Sequence, residues 1–275
     1  MIIRNEIDFL PVQNFSFSIN YVEIDALSPE NVFQSHIHNE CGIYFNLSGD
    51  VSFMVENKVY PISPGSIILT RPNEFHHCIY NSAREIHRHF CILFSPGENE
   101  IFLDVFFKRN SGENNLIVLN SLQADQFSEL CFSLTKKDAQ PIEQYHHFFS
   151  VLTFLNKYNQ LISPRADISM PEDTVFALEY IHNHLSLPIN INELAHQAHV
   201  SLNTLERHFL ASIQMAPSQY IKRRRLANAQ ILLKEGKTVQ EACSLSGFSD
   251  YSHFIALFKK SFGITPYQYR KLSSD

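Results

Sequence analysis

The stretch that decides the fold covers residues 238–266 and reads TVQEACSLSGFSDYSHFIALFKKSFGITP. Thr238 and Glu241 have capping-box spacing, which predicts that a helix begins just after Thr238. Gly247 can adopt the left-handed conformation that ends this helix and opens a sharp turn. A second helix follows, and its apolar residues recur at helical spacing until Gly263. The stretch therefore predicts two helices joined by a tight turn.

This pattern indicates a helix-turn-helix, whose second helix enters the major groove of DNA, where each base pair presents a distinct pattern of hydrogen-bond donors and acceptors. Ser249 or Asp250 can cap that second helix, and Phe254 and Phe258 are its predicted core anchors. The outward positions, which are the expected base-reading residues, are Tyr251, Ser252, Ile255 and Ala256.

A looser copy of the pattern lies upstream. Asn190 and Glu193 can cap its first helix, and Ser201 can cap its second. The outward positions of that second helix are Asn203, Glu206 and Arg207. Between the copies, Pro217 to Gly236 predicts a helix of about nineteen residues, roughly 28 Å long. That length suits successive major grooves, which lie about 34 Å apart.

The charge distribution favours a DNA-binding second half. Residues 172–275 contain 11 Lys and Arg against 9 Asp and Glu, whereas residues 1–171 contain 11 against 19. The whole chain has a formal net charge of −6, so it is not a strongly basic protein. The residues expected to contact DNA phosphates are Ser201, Lys222, Arg223, Arg224, Arg225, Ser249, Lys259 and Lys260.

These motifs resemble the AraC/XylS family of bacterial transcription regulators. The resemblance covers about residues 172–273 and is carried by Leu194-Ala195, Ser201, Leu205, Arg207, Phe209, Pro217, Tyr220, Arg225-Leu226, Ala229, Leu232-Leu233, Gly247-Phe248, Phe254, Phe258-Lys259-Lys260, Gly263, Thr265-Pro266 and Tyr269-Arg270. It implies two three-helix subdomains joined by a long helix on double-stranded promoter DNA, and contact with RNA polymerase as an activator. The chain departs from the family at Gln214, where glycine is usual, at Cys243, and at Ala256, where some members place a base-reading arginine.

The first hundred residues read as short alternating strands separated by turn signals such as Ser48-Gly49-Asp50 and Ser63-Pro64-Gly65. This pattern predicts an antiparallel β-barrel or a double-sheet jelly roll. The stretch from His36 through Gly49, followed by Pro64-Gly65 and His76-His77, resembles the cupin-like sensor domain that many members of the same family carry. The predicted fold class is therefore α+β, with a cupin-like barrel, a helical pair and an all-α tandem helix-turn-helix domain.

The interior of such a barrel is a candidate pocket for a small effector, such as a sugar or another metabolite. The candidate effector-binding residues are His38, Tyr44, Phe53, His76 and Arg88. A metal-dependent cupin enzyme with an accessory DNA-binding module is the alternative, and it would use His36, His38 and His76. Gly42 stands where such sites place a glutamate, so we expect no metal, cofactor or catalytic residue. A regulator without an effector is the third interpretation.

Four segments follow from these patterns: a sensor barrel at 1–115, a helical pair at 116–162, a linker at 163–171 and the DNA-binding domain at 172–275. The helical pair either joins two chains as a dimer or covers the open face of the barrel. No signal peptide or run of eighteen apolar residues occurs, and the five cysteines lack paired spacing. We therefore expect a cytoplasmic protein with reduced thiols and no membrane partner.

Overall fold

The computed structural model describes residues 3–8, 16–25, 38–81, 85–96, 103–136, 138–159, 162–163 and 170–272. The chain divides into two compact units, one within residues 1–168 and the other spanning Ser169–Asp275. Most of the expected linker at 163–171, and His36, lie outside the described residues. No helix in the described ranges is both long and apolar enough to cross a bilayer.

The first unit contains all the strands of the described chain. They are β1 (Ile3–Asp8), β2 (Phe17–Asp25), β3 (Cys41–Ser48), β4 (Val51–Val55), β5 (Lys58–Ile62), β6 (Ser66–Thr70), β7 (His76–Tyr80), β8 (Ile86–Phe94), β9 (Leu116–Val118) and β10 (Ile162–Ser163). Its helices are α1 (Asp104–Phe107), α2 (Ser121–Leu134) and α3 (Pro141–Lys157).

Two antiparallel sheets face each other in this unit. The larger sheet has the strand order β1-β2-β8-β3-β6-β9-β10, and the smaller sheet has the order β5-β4-β7. Side chains from both sheets, including Tyr44, Phe53 and Ile68, form one buried cluster between them. The expected antiparallel β architecture is confirmed, but the hydrogen-bonded ladders of the described strands form two open sheets rather than a closed barrel.

The helical pair covers the outer face of the larger sheet. Phe127 of α2 and Phe148 of α3 belong to the same buried cluster as Phe45 and Phe94 of the sheet. Phe45 meets Phe127 edge-to-face at 4.9 Å, and Phe94 meets Phe148 at 5.2 Å. One apolar side of each helix is thus buried against the sheet of the same unit, which agrees with the interpretation that the helical pair covers the β domain.

The second unit is entirely helical within its described residues. Its helices are α4 (Glu172–Asn183), α5 (Ile191–Gln197), α6 (Leu202–Ile213), α7 (Pro217–Lys234), α8 (Val239–Leu245), α9 (Tyr251–Phe262) and α10 (Pro266–Leu272). The capping box predicted at Thr238 and Glu241 is formed, and Asp250 rather than Ser249 caps α9. Gln214 ends α6 with a φ of 57°, the left-handed conformation that a glycine usually supplies.

Helix α7 runs for 18 residues, about 27 Å at 1.5 Å per residue. Tyr220 in its first half packs edge-to-face on Phe209 of α6, with ring centroids 5.5 Å apart. Leu226 and Leu233 in its second half join the buried cluster that contains Phe254 and Phe258 of α9. A single helix therefore belongs to the cores of both helix-turn-helix units, so the two units share a rigid support.

Candidate functional site

The two predicted recognition helices each present an outward face. In α6, Leu205 and Phe209 are buried, whereas in α9 the buried anchors are Phe254 and Phe258. The predicted base-reading residues that are exposed are Asn203, Glu206, Arg207, Tyr251, Ser252 and Ala256, and Ile255 is partly buried. All seven predicted base-reading residues thus lie outside the buried anchor positions of the two helices.

The outward face of α6 extends further than the predicted set. Leu210 lies seven residues, or about two turns, beyond Asn203, and its side chain is 55% exposed. Helical spacing places Leu210 on this face, but from the sequence alone an apolar residue at this position could equally be predicted to belong to the core. Because Leu210 is exposed, the C-terminal part of α6 presents an apolar side chain on the outward face.

The predicted phosphate-contacting residues separate into exposed and internally bonded groups. The exposed ones are Ser201, Lys222, Ser249, Lys259 and Lys260. Arg223 is half-buried, and burial lowers the pKa of its guanidinium. The Ser201 side chain caps α6 by accepting a hydrogen bond from the Thr204 amide at 3.2 Å. None of the three consecutive arginines Arg223, Arg224 and Arg225 is fully exposed, so they do not form a uniform charged face.

The structure disagrees with the prediction for Arg224. Arg224 is only 8% exposed, and its Nη2 atom donates to Nδ1 of His182 on α4 at 3.3 Å. A phosphate contact requires a guanidinium that reaches the surface, so Arg224 is removed from the phosphate-contacting set. The charge run did not reveal this because successive residues on a helix point in directions about 100° apart.

Arg225 is also engaged within the protein. Its Nε donates to the carbonyl of Leu185 at 3.0 Å, and its Nη2 donates to the carbonyl of Leu187 at 2.7 Å. A Cβ at Gly247 would lie 2.5 Å from the Leu185 oxygen and 2.8 Å from the Arg225 Nε. Arg225 thus connects α7, the loop after α4 and the turn of the second helix-turn-helix, and its hydrogen bonds position these elements.

Four of the five candidate effector-binding residues meet between the two sheets of the first unit. His38 and His76 lie edge-to-face at 4.8 Å, His76 stacks on Phe53 at 6.0 Å, and Phe53 lies 4.9 Å from Tyr44. Tyr44 in turn stacks on His89 at 4.4 Å between ring centroids. A continuous row of aromatic and imidazole rings therefore crosses this interior.

Arg88, the fifth candidate, does not belong to that interior. Its neighbours His87 and His89 are buried, whereas the Arg88 side chain is half-exposed and its Nε donates to Oε2 of Glu23 at 3.0 Å. Residues alternate between the faces of a strand, so Arg88 points to the opposite side of β8. The prediction placed the strand correctly but chose the wrong parity.

The interior contains polar groups that sequence reasoning missed. The Cys78 thiol donates to the Tyr44 hydroxyl at 3.7 Å, and Tyr80 packs against His87 at 4.8 Å. Cys91 retains some accessible surface, yet burial raises the pKa of its thiol to about 12.

Two imidazoles of this interior, His38 and His76, contact backbone carbonyls through Nδ1. Nδ1 of His38 contacts the Glu40 carbonyl at 3.0 Å, and Nδ1 of His76 contacts the Glu74 carbonyl at 2.9 Å. Since a carbonyl oxygen only accepts, each Nδ1 carries a proton and donates it. Burial lowers the pKa of His89 to about 3, so this ring is neutral at pH 7. Within the described residues, no group of three or more His, Cys, Asp or Glu is arranged to hold a metal ion.

A buried ion pair braces one end of this interior. Both guanidinium nitrogens Nη1 and Nη2 of Arg109 donate to the carboxylate of Glu74 at 2.8 Å. The carboxylate also accepts from the Gly112 and Arg71 amides, each at 2.9 Å, and from the Asn115 amide group at 3.3 Å. The loop before β9 is thereby fixed to the β6–β7 connection, which leads directly into His76 at the start of β7.

Comparison with known proteins places both units in one family. Residues 22–141 match the AraC-like ligand-binding domain, and residues 194–272 match a helix-turn-helix domain. The chain is 25% identical to the transcriptional regulator YbfI of Bacillus subtilis (strain 168), over 80% of this chain and 81% of YbfI.

Two further relatives align over nearly their whole length. The transcriptional activator RhaS of Escherichia fergusonii is 23% identical over 97% of this chain and 96% of RhaS. The activator RhaR of Salmonella arizonae is 22% identical over 98% of this chain and 99% of RhaR. With a ligand-binding domain followed by a tandem helix-turn-helix domain, the chain belongs to the AraC family of transcription regulators.

Proposed function

We propose that this protein activates transcription from promoters that contain two adjacent half-sites, one read by α6 and one by α9, under the control of a small molecule bound between the sheets of the first unit. The observation that carries the proposal is that α6 and α9 both pack on the single helix α7 and both turn a face outward. The activator role is supported by RhaS and RhaR, which are named as activators.

Arg207 is the expected guanine reader of the first half-site. The planar guanidinium donates two hydrogen bonds to O6 and N7 of guanine in a fixed fork, whereas a lysine ammonium can reach these atoms but without that fixed geometry. Arg207→Ala should lower specific affinity by about 1–3 kcal/mol and relax the preference at one base position. Binding titrations on a site selected from randomised duplexes would measure both effects.

The variant Arg207→Lys separates base recognition from phosphate contact. If Arg207 reads guanine, Arg207→Lys should recover only part of the affinity and base preference that Arg207→Ala loses, because lysine lacks the rigid bidentate fork. Full recovery of affinity in Arg207→Lys, together with an unchanged base preference in Arg207→Ala, would contradict base recognition and assign Arg207 to a phosphate.

The site proposed for the effector is the interior that contains His76, Tyr44 and His89. Its lining of imidazole, phenol and thiol groups resembles a binding site, with a few directed polar groups in aromatic surroundings. A sandwich interior filled only by phenylalanine would instead favour an effector-independent regulator, and this interior is not of that kind. The metal-dependent enzyme gains no support from the described residues.

A thermal-shift screen of sugars and other small metabolites on the full chain tests the effector site. A compound present at about 100 times its dissociation constant should stabilise the protein by about 2.7 kcal/mol. His76→Gln should reduce that shift, whereas His146→Gln on the exposed side of α3 should leave it unchanged. A shift of equal size in wild type and His76→Gln would place the effector elsewhere.

The remaining partners follow from the same proposal. An activator must contact RNA polymerase while it is bound to promoter DNA, and it works in the compartment that holds DNA, the cytoplasm. The outer side of α3 carries Ile142, 76% exposed, and Phe149, 46% exposed and two turns further on. We propose that this apolar face pairs two chains as a homodimer, which sedimentation of the full chain would detect.

A further inference from the structure

The two recognition helices differ in chemistry at equivalent positions. Leu205 and Phe209 of α6 occupy the same places in their helix as Phe254 and Phe258 of α9, since each pair is buried and four residues apart. On this alignment the outward pairs are Asn203 with Ser252, Glu206 with Ile255, and Arg207 with Ala256. Three hydrogen-bonding side chains of α6 thus correspond to a short hydroxyl and two apolar side chains in α9.

The hydrogen-bonding residues of α6 suit readout of donors and acceptors. Arginine pairs with guanine, asparagine with adenine, and glutamate accepts from cytosine. None of these side-chain types is present at the equivalent positions of α9. The exposed hydroxyl of Ser252 can bond to several bases, so it specifies none strongly.

The apolar pair of α9 is held in a fixed position. Ile255 packs with one side against the cluster of Phe254, Phe258 and Leu226, and its residue remains partly exposed. Ala256 is exposed and has only a methyl group, so the backbone of α9 can approach the floor of a groove closely. Lys259 and Lys260, one turn further on, are exposed and supply positive charge toward the phosphates.

We infer that α9 recognises thymine through its C5-methyl group, by apolar contact with Ile255 and Ala256, while α6 reads its half-site by hydrogen bonds. The major-groove feature that contacts apolar side chains is the thymine methyl, and uracil lacks only this group. This inference rests on the proposed function, because it assumes that α9 enters the major groove.

Replacing thymine by deoxyuridine in the DNA tests the inference without altering the protein. The probe is a bipartite duplex selected by the full chain from a randomised pool, with the first half-site defined by the positions that Asn203→Ala and Arg207→Ala relax. Deoxyuridine in the second half-site should weaken binding about fourfold for each contacted methyl, the effect expected for burial of one methyl-sized group. Deoxyuridine at the first-half-site positions that Asn203→Ala and Arg207→Ala relax should leave the affinity unchanged.

A protein–DNA double-mutant cycle assigns the effect to α9. Ile255→Ala should reduce the difference between thymine and deoxyuridine duplexes, because only the Ala256 contact then remains, whereas Asn203→Ala should preserve it in full. Each comparison is made within one variant, so a loss of folded protein cancels. Equal binding of both duplexes by the wild type, or a difference that Ile255→Ala leaves undiminished, would overturn methyl recognition by α9. Failure to select any preferred sequence would instead overturn the proposed function itself.

Discussion

Replacing Glu74 by alanine is expected to lower the free energy of unfolding of the first unit by about 3–5 kcal/mol, because the variant leaves the Arg109 charge buried without its partner. Glu74 is 1% exposed and accepts five hydrogen bonds from four groups of the protein. Chemical denaturation of the full chain, followed by far-ultraviolet circular dichroism, would measure the loss.

Two variants make this prediction specific to the buried pair. Glu23 accepts from Arg88 at a similar 3.0 Å, but both side chains are part-exposed, so Glu23→Ala should cost less than about 1 kcal/mol. The double variant Glu74→Leu with Arg109→Met removes both buried charges, so it should recover part of the loss; the Arg71, Gly112 and Asn115 donors that lose their acceptor limit the recovery. A Glu74→Ala variant as stable as Glu23→Ala would show that the pair is not needed for stability.

The second large effect is expected at Gly247. This residue has a φ of +85°, and an added Cβ would lie 2.5 Å from the Leu185 carbonyl and 2.8 Å from the Arg225 Nε. Gly247→Ala must therefore accept left-handed strain and also displace the loop that Arg225 holds. The combined cost to the second unit is about 2–5 kcal/mol. We also expect weaker binding to bipartite DNA, because the turn that places α9 would shift.

Gly236 provides a matched control for this prediction. It has the same φ of +85°, but an added Cβ would meet no atom within 4 Å. Gly236→Ala should therefore cost only the backbone strain, about 1–2 kcal/mol, and should leave the affinity for DNA unchanged. Equal melting temperatures for the two alanine variants would contradict the steric argument at Gly247.

Local signals explain why the helices of the second unit were predictable. A cap needs only a side chain and an amide two or three residues away, so Thr238 with Glu241, and Asp250 with His253, are visible in the sequence. The buried anchors Phe254 and Phe258 follow from helical periodicity in the same way. The outward positions of α6 and α9 are the complement of that pattern, which made the candidate DNA-reading faces predictable as well.

The structure differs from the prediction at positions where the prediction required a choice between two faces of a strand or a helix. Arg88 and His89 are adjacent, and a shift of one residue in strand parity moves a side chain from the interior to the outer face. Lys222 and Arg224 belong to one basic run, yet Lys222 is exposed and Arg224 lies against α4. The amino-acid composition of a segment is the same whichever face a residue occupies, so only the packing of neighbouring elements shows which side chains are exposed.

The sequence by itself determined the tandem helix-turn-helix, its long connecting helix and the strand-rich first half, because caps, turns and apolar periodicity act over a few residues. The tertiary structure alone decided which polar groups far apart in the sequence meet. Glu74 and Arg109 are 35 residues apart, and Arg225 reaches carbonyls 40 and 38 residues upstream. Such contacts depend on how separate elements pack in space, and no local pattern records the partner that a buried charge will find.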